Sequence, residues 1–161
     1  MVIRKTTLQD LPEVLQIYAQ ARAFMAQTGN PDQWQTTYPE ESLIREDIAQ
    51  GISYVAEFDG QIETVFVYFE GDDPTYHVIE NGSWKNEEPY GVIHRIASRG
   101  RVKGAGAKCL QWGFSQCKNL RIDTHDDNQV MQHVLEKNGF ERCGRIYTET
   151  GSPRVAYQKV K

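Results

Sequence analysis

Cysteine is scarce in these 161 residues: Cys109, Cys117 and Cys143 are an odd number with no Cys-x-x-Cys pair, which argues against a disulfide framework and against a structural zinc site. No activating partner stands beside any of them, so they read as reduced packing residues. The His and Asp residues between 123 and 127 lack a recognisable ligand spacing, and no metal is expected. No run of about 18 apolar residues exists, which excludes a membrane-spanning helix. The start of the chain, Met1 to Thr6, lacks the apolar stretch of a signal peptide, so a cytoplasmic location is the expectation. An excess of positive charge is also missing. Eighteen Lys and Arg against 22 Asp and Glu give a net charge of -4, so neither nucleic acid nor an anionic membrane is an expected partner. Any anionic ligand must be met by a local site.

What remains is a chain that is 39% hydrophobic, 25% charged and 11% aromatic, the balance of a soluble globular protein of about one domain's length. A single domain over 1–161 is expected. Val2 to Lys5 reads as a strand. Asp10, with Pro12 and Glu13 in the first turn, opens a helix on which Leu11, Val14, Leu15, Tyr18, Ala21 and Met25 recur at helical spacing. Leu43, Ile44, Asp47 and Ile48 suggest a second helix closed by Gly51. Ile52 to Phe58 and Ile62 to Phe69 are rich in β-formers and joined by Asp59-Gly60, the pair that suits a type I′ hairpin turn. Asp72 to Glu88 is polar, broken by Pro74 and Asn81-Gly82, and reads as a surface excursion with one helical turn around Tyr76 to Ile79. Tyr90 to Ala97 is a strand; Ala107, Leu110, Gly113, Phe114 and Cys117 line one face of a helix beginning near Ala105, with Lys108, Gln111, Ser115 and Lys118 on the other; Leu120 to Thr124 is a strand and Asp127 to Asn138 a helix stopped by Gly139; Phe140 to Tyr147 and Arg154 to Lys159 are the last strands. The fold class is α/β, a mixed, mostly antiparallel central sheet flanked by about four helices.

Between the strand ending at Ala97 and the helix from Ala105 lies a glycine-rich turn, Arg99-Gly100-Arg101-Val102-Lys103-Gly104-Ala105-Gly106-Ala107-Lys108. Glycine lets a backbone approach a ligand closely, and a helix start adds free N–H donors and partial positive charge, the requirements of a diphosphate. Arg99, Arg101, Lys103 and Lys108 concentrate four cations in an acidic protein. A tight turn with a solvated basic face uses the same residues. A dinucleotide fingerprint needs a third glycine where Cys109 stands, and a Walker loop needs Gly-Lys followed by Ser or Thr; both are missing.

Arg101-Val102-Lys103-Gly104-Ala105-Gly106 resembles the diphosphate loop of the GNAT superfamily of N-acetyltransferases: Gln or Arg, two variable residues, Gly, one variable residue, then Gly or Ala. The later family segment, an Asn opening a helix that ends in a Gly-Phe step, is matched by Asn128 and by Gly139-Phe140. The element order matches over essentially the whole chain. The resemblance implies acetyl-CoA, or another acyl-CoA, with its diphosphate on the Arg101, Val102, Lys103, Gly104, Ala105, Gly106, Ala107 and Lys108 region, its arm along Ile96, Ala97 and Ser98, and Asn128 reaching that arm. The Ala97–Arg101 stretch is shorter than is usual for the family.

Acyl transfer to an amine of pKa near 10.4 requires a deprotonation costing about 4 to 5 kcal/mol at pH 7, so a base is useful. Family members often place a water-linked base on the central strand, where alternation puts Val92, His94 and Ile96 on one face and Ile93, Arg95 and Ala97 on the other. His94 is the first candidate and His125 the second; a half-buried structural histidine and a polar loop are the competing readings. Many members protonate the departing thiolate with a Tyr where Leu135 stands here; Tyr147, Tyr54 and Tyr68 are substitutes, each also explained by packing. The acceptor groove is expected from the first two helices and late strands, with Trp34, Tyr38, Trp84 and Gln35 as candidate walls. The expected function is direct acetyl transfer to an amine of a small molecule or peptide. A non-catalytic acyl-CoA-binding or sensing protein, and an interaction domain using the 72–88 excursion, are the alternatives. A homodimer is compatible with everything above.

Overall fold

The computed structural model describes residues 1–161. Its elements are β1 (Val2–Lys5), α1 (Leu11–Gln27), α2 (Glu41–Ala49), β2 (Ser53–Phe58), β3 (Gln61–Glu70), β4 (Gly91–Ser98), α3 (Ala105–Cys117), β5 (Asn119–Thr124), α4 (Gln129–Lys137), β6 (Glu141–Tyr147) and β7 (Pro153–Val160). Seven strands form one sheet in the order β1-β2-β3-β4-β5-β7-β6. β1–β2, β2–β3, β5–β7 and β6–β7 pair antiparallel, and β4–β5 pair parallel through Gly91–Leu120 and Val92–Arg121. This is the mostly antiparallel α/β sheet with four helices that the residue pattern predicts. No helix is long and apolar enough to cross a membrane.

The chain forms two compact units. The first comprises Met1–Tyr68 with His94–Cys109, the second Phe69–Ile93 with Leu110–Lys161. In the first unit the apolar stripe of α1 (Leu11, Val14, Ile17, Tyr18) is buried with Trp34, Ile44, Val55, Ile62, Val65 and Ala97, each Leu, Ile or Val side chain contributing about 1.5–3 kcal/mol. The β2–β3 turn has positive φ at both Asp59 (53°) and Gly60 (77°), as a type I′ turn demands.

Before α1 the chain turns on an ion pair. Arg4 Nη1 and Nη2 reach Asp10 Oδ2 and Oδ1 at 2.8 and 3.0 Å, and Arg4 also binds Glu57. The hydrogen bond from Arg4, with further help from the Thr7 amide, holds the Asp10 carboxyl below its ordinary range against the opposing effect of burial. A carboxyl lowered on folding stabilises the native state above its unfolded pKa of about 3.9 and stops doing so as pH falls through the lower folded value. Asp10→Asn is therefore expected to cost about 1 kcal/mol at neutral pH, as befits a partly exposed pair, and nothing at the acid end. Urea melts across pH 2–7 check this; an equal loss at every pH would contradict it.

In the second unit the 72–88 segment departs from its sequence reading. Its helical turn stands earlier, at Pro74–Tyr76, and the segment is anchored by side chains that its polar composition conceals. Tyr76 is 1% exposed, and its hydroxyl donates to Asp123 Oδ2 at 2.7 Å. Glu80 and Arg145 exchange two backbone hydrogen bonds of 2.8 Å. At Gly82 a Cβ would stand 1.9 Å from the Cys143 carbonyl oxygen, so only glycine allows that approach. The Arg121 guanidinium lies between the rings of Trp84 (4.3 Å) and Tyr90 (3.9 Å).

Candidate active site

Strand β4 carries a bulge. Arg95 has φ +49°, a conformation that costs a non-glycine residue about 1–3 kcal/mol unless its surroundings impose it. They do impose it. The Tyr18 hydroxyl donates to the Arg95 carbonyl at 2.8 Å; Arg95 Nε and Nη2 donate to the two oxygens of Asp47 on α2 at 3.0 and 2.8 Å; Arg95 Nη1 donates to the Tyr38 hydroxyl at 3.1 Å. The Asp47 and Arg95 side chains are 5% and 14% exposed. Burial pushes the Asp47 carboxyl up from its ordinary value while Arg95 draws it back, and burial pushes the Tyr18 hydroxyl far up, keeping it a neutral donor.

The bulge corrects the strict alternation expected for this strand. Ile93 lies against Gly113 of α3, and Ser98 Oγ lies 4.0 Å from the Cβ position of Gly106 on the same helix, a spacing of odd parity that an unbroken strand forbids. Ala97, next to Ser98, faces the α1 cluster. His94 and Ile96 therefore do not share a face, and Arg95, taken as the partner of Ile93, points instead to α2. His94 is half-buried and within electrostatic reach of Asp47.

Beyond Ser98 the turn binds itself at one end and is open at the other. Arg99 N–H donates to the Glu63 carbonyl at 2.8 Å, and Gly100 and Arg101 N–H both donate to Glu63 Oε2, at 2.9 and 3.2 Å. Arg99 folds back, with Nε on the Ile62 carbonyl and Nη2 on Glu13. The expected cluster of four cations is therefore three: Arg101, Lys103 and Lys108, all exposed, with Lys108 over the Phe58 ring at 5.5 Å. Gly104 has φ +77° and leads into α3. Ala105 N–H donates to the Val102 carbonyl and Lys108 N–H to Gly104. No hydrogen bond is made by the N–H groups of Val102, Lys103 and Gly104 in the turn, nor by those of Gly106 and Ala107 in the first turn of α3, where a helix leaves its N–H groups without intrahelical partners. Of the eight residues assigned to the diphosphate, Arg101, Ala105 and Lys108 thus have committed amides. A recess of about 270 Å³ beside the turn is lined by Phe58, Asp59, Gln61, Ile62, Glu63, Arg101 and Val102.

The other candidates divide between the units. In the first, Trp34 is buried, edge-on to Tyr18 at 5.7 Å and tilted against Tyr38 at 6.1 Å, so it sets the position of Tyr38, which is exposed. Burial pushes the Cys109 thiol up to about 12, which leaves it inert. In the second unit, His125 Nδ1 accepts from the Asp127 N–H at 3.0 Å. Asn128 caps α4, its Oδ1 accepting from Met131 N–H at 3.0 Å. Leu135 is fully buried. Trp84 donates its indole N–H to the Tyr76 carbonyl at 2.9 Å. Tyr147 donates to Glu80, which holds its hydroxyl pKa up. No group of three His, Cys, Asp or Glu side chains is gathered as metal ligands would be.

Sequence reasoning missed Arg95, Asp47, Tyr18 and Glu63. Two signals were present: Asp47 occupies the apolar face of α2, and Glu63 interrupts a strand otherwise buried on both faces. Charges in such positions require partners.

A mostly antiparallel α/β sheet of this order, with a glycine turn leading into α3, is the fold of the acetyltransferases with which the chain compares. The chain belongs to the GNAT acetyltransferase family: residues 1–141 match the acetyltransferase (GNAT) domain. A GNAT-family acetyltransferase from Streptococcus agalactiae is 32% identical, with a TM-score of 0.91 over 99% of this chain and 95% of that one. At 23% identity, a Staphylococcus aureus protein described as a putative acetyltransferase shares the fold with a TM-score of 0.71, covering 99% of each chain. A ribosomal-protein-alanine N-acetyltransferase from Brucella melitensis shares it at 19% identity and 0.65, covering 100% of each chain. No curated protein matches the sequence.

Proposed function

We propose that this chain is an acetyl-CoA-dependent N-acetyltransferase that moves an acetyl group directly to an amine of a small molecule or peptide. The observation that carries the reading is the set of N–H groups without a hydrogen bond at Val102, Lys103, Gly104, Gly106 and Ala107, with the exposed cations Arg101, Lys103 and Lys108 on the same segment. Donors and cations of this kind fit a diphosphate. Bound acetyl-CoA supplies the acetyl group as a thioester, whose thiol leaves as thiolate at a penalty of about 2 kcal/mol at pH 7. That small penalty makes the buried Leu135, in place of an acid, tolerable.

Ile96, Ala97 and Ser98, beyond the bulge, are assigned to the arm of the cofactor in the manner of strand addition, and Asn128 to the same arm. His94 is assigned as the base that takes the ammonium proton through water, with His125 second. Tyr38, held by Arg95 and Trp34, is assigned to the acceptor groove; Trp84 is the assignment from the second unit. Holding the two reactants together accounts for much of the acceleration, and no covalent enzyme intermediate is required.

Thiol release on mixing with acetyl-CoA and a panel of amines, polyamines, amino acids and peptides tests the reading. His94→Ala is expected to bind CoA as the wild type does and to lose turnover by about 10²-fold or more. Unchanged turnover in that variant would remove His94 from the mechanism. Tight CoA binding with no product from any acceptor would favour a non-catalytic acyl-CoA-binding protein, the reading that Leu135 supports.

A further inference from the structure

We propose, resting on the reading of the turn before α3 as a diphosphate site, that Glu63 is a positioning residue for cofactor binding: its carboxylate takes the first amides of the turn and so determines which amides are left for the ligand. Three consecutive N–H groups end on this one residue. Arg99 donates to its carbonyl at 2.8 Å, Gly100 and Arg101 to its Oε2 at 2.9 and 3.2 Å. Glu63 is 3% exposed, between Ile62 at 5% and Thr64 at 0%, and no Lys or Arg side chain pairs with it. A carboxylate in such a place is strongly disfavoured unless donors satisfy it, and here the donors are peptide N–H groups of the turn itself.

The consequence is geometric. The backbone reverses at Gly100, φ +87°, with its first amides turned inward onto β3, and the next three, at Val102, Lys103 and Gly104, are free to face a ligand. A short connection from β4 leaves no slack with which to recover this arrangement by another path. An anion beside an anion-binding site would by charge alone oppose the ligand, so Glu63 contributes as an acceptor of defined position, and a neutral acceptor of the same shape should serve.

The test compares the full-length wild type with Glu63→Gln, Glu63→Ala and Glu63→Asp by calorimetric titration with CoA, alongside melting without ligand. Glu63→Gln, which keeps a carbonyl oxygen for the two amides, is expected to bind CoA within about threefold of the wild type. Glu63→Ala and Glu63→Asp, which remove or withdraw the acceptor, are expected to weaken it by about tenfold or more. With any acceptor that gives turnover, KM for acetyl-CoA should rise by the same factor while kcat at saturation holds. Glu63→Asp keeps the comparison available should Glu63→Ala fold poorly. Binding by Glu63→Ala as tight as the wild type's, or tighter, would overturn the proposal, since the carboxylate would then be a plug that the ligand displaces; so would a fall in kcat with KM unchanged. A wild type that gives no heat with CoA would instead fail the diphosphate reading itself.

Discussion

Gly104→Glu is expected to fold and to lose the thermal stabilisation that CoA gives the wild type. Gly104 sits at φ +77° with nothing within 4 Å of the position a Cβ would take, so a side chain there meets no clash. Its cost is the left-handed backbone alone, about 1 kcal/mol for an L-residue. The effect on binding is far larger. A carboxylate at residue 104 stands among the unpaired N–H groups of residues 102–107, where it supplies the negative charge that the helix start attracts and repels that of a diphosphate. Ligand at a hundred times its Kd stabilises a protein by about 2.7 kcal/mol, which for a chain of this size is a rise in melting temperature of about 5–10 °C. Gly104→Ala carries the same backbone cost without the charge and is expected to keep most of that rise. Fluorimetric melts with and without CoA read both variants; a full ligand-induced rise in Gly104→Glu would remove the turn from the binding site.

The turn was readable because its information is local. Glycine at 104 and the cations at 101, 103 and 108 lie within a few residues, as do Asp59-Gly60 for the hairpin; Asn128 and Gly139 each mark one end of α4 by themselves. Features built by residues distant in sequence were not readable in the same way. The β4 bulge is held by Tyr18, 77 residues away, and by Asp47, 48 away; nothing within Ile93-His94-Arg95-Ile96 departs from a regular strand pattern. Glu63 meets amides 37 and 38 residues on, and Arg99, a neighbour of the other cations in sequence, pairs instead with Glu13, 86 residues away. The 72–88 excursion misled for the opposite reason: its composition is polar, yet Tyr76 is buried. Composition reports the average of a segment, and one buried aromatic is enough to anchor it.

Asp47→Ala is expected to be among the most damaging single substitutions in the first unit, because it leaves the Arg95 guanidinium buried without its counter-charge. Breaking a buried pair by removing one partner costs about 3–5 kcal/mol, whereas replacing both partners by apolar residues of similar volume is often neutral. Asp47→Leu combined with Arg95→Met should therefore recover most of the stability in urea melts. Activity should not recover with it. The guanidinium also holds the Tyr38 hydroxyl at 3.1 Å and, with Asp47, helps the Tyr18 hydroxyl to hold a residue at φ +49°; with the two side-chain interactions gone, the strain of about 1–3 kcal/mol at residue 95 is opposed by the Tyr18 hydrogen bond alone. Relaxation of β4 around residue 95 would displace Ile96, Ala97 and Ser98, the residues assigned to the cofactor arm, without removing them from the sheet. The double variant is thus expected to melt near the wild type and to show kcat/KM for acetyl-CoA lowered by about 10²-fold or more, as misplacement of a reacting group produces. Wild-type turnover in a stable double variant would show that the bulge serves packing alone.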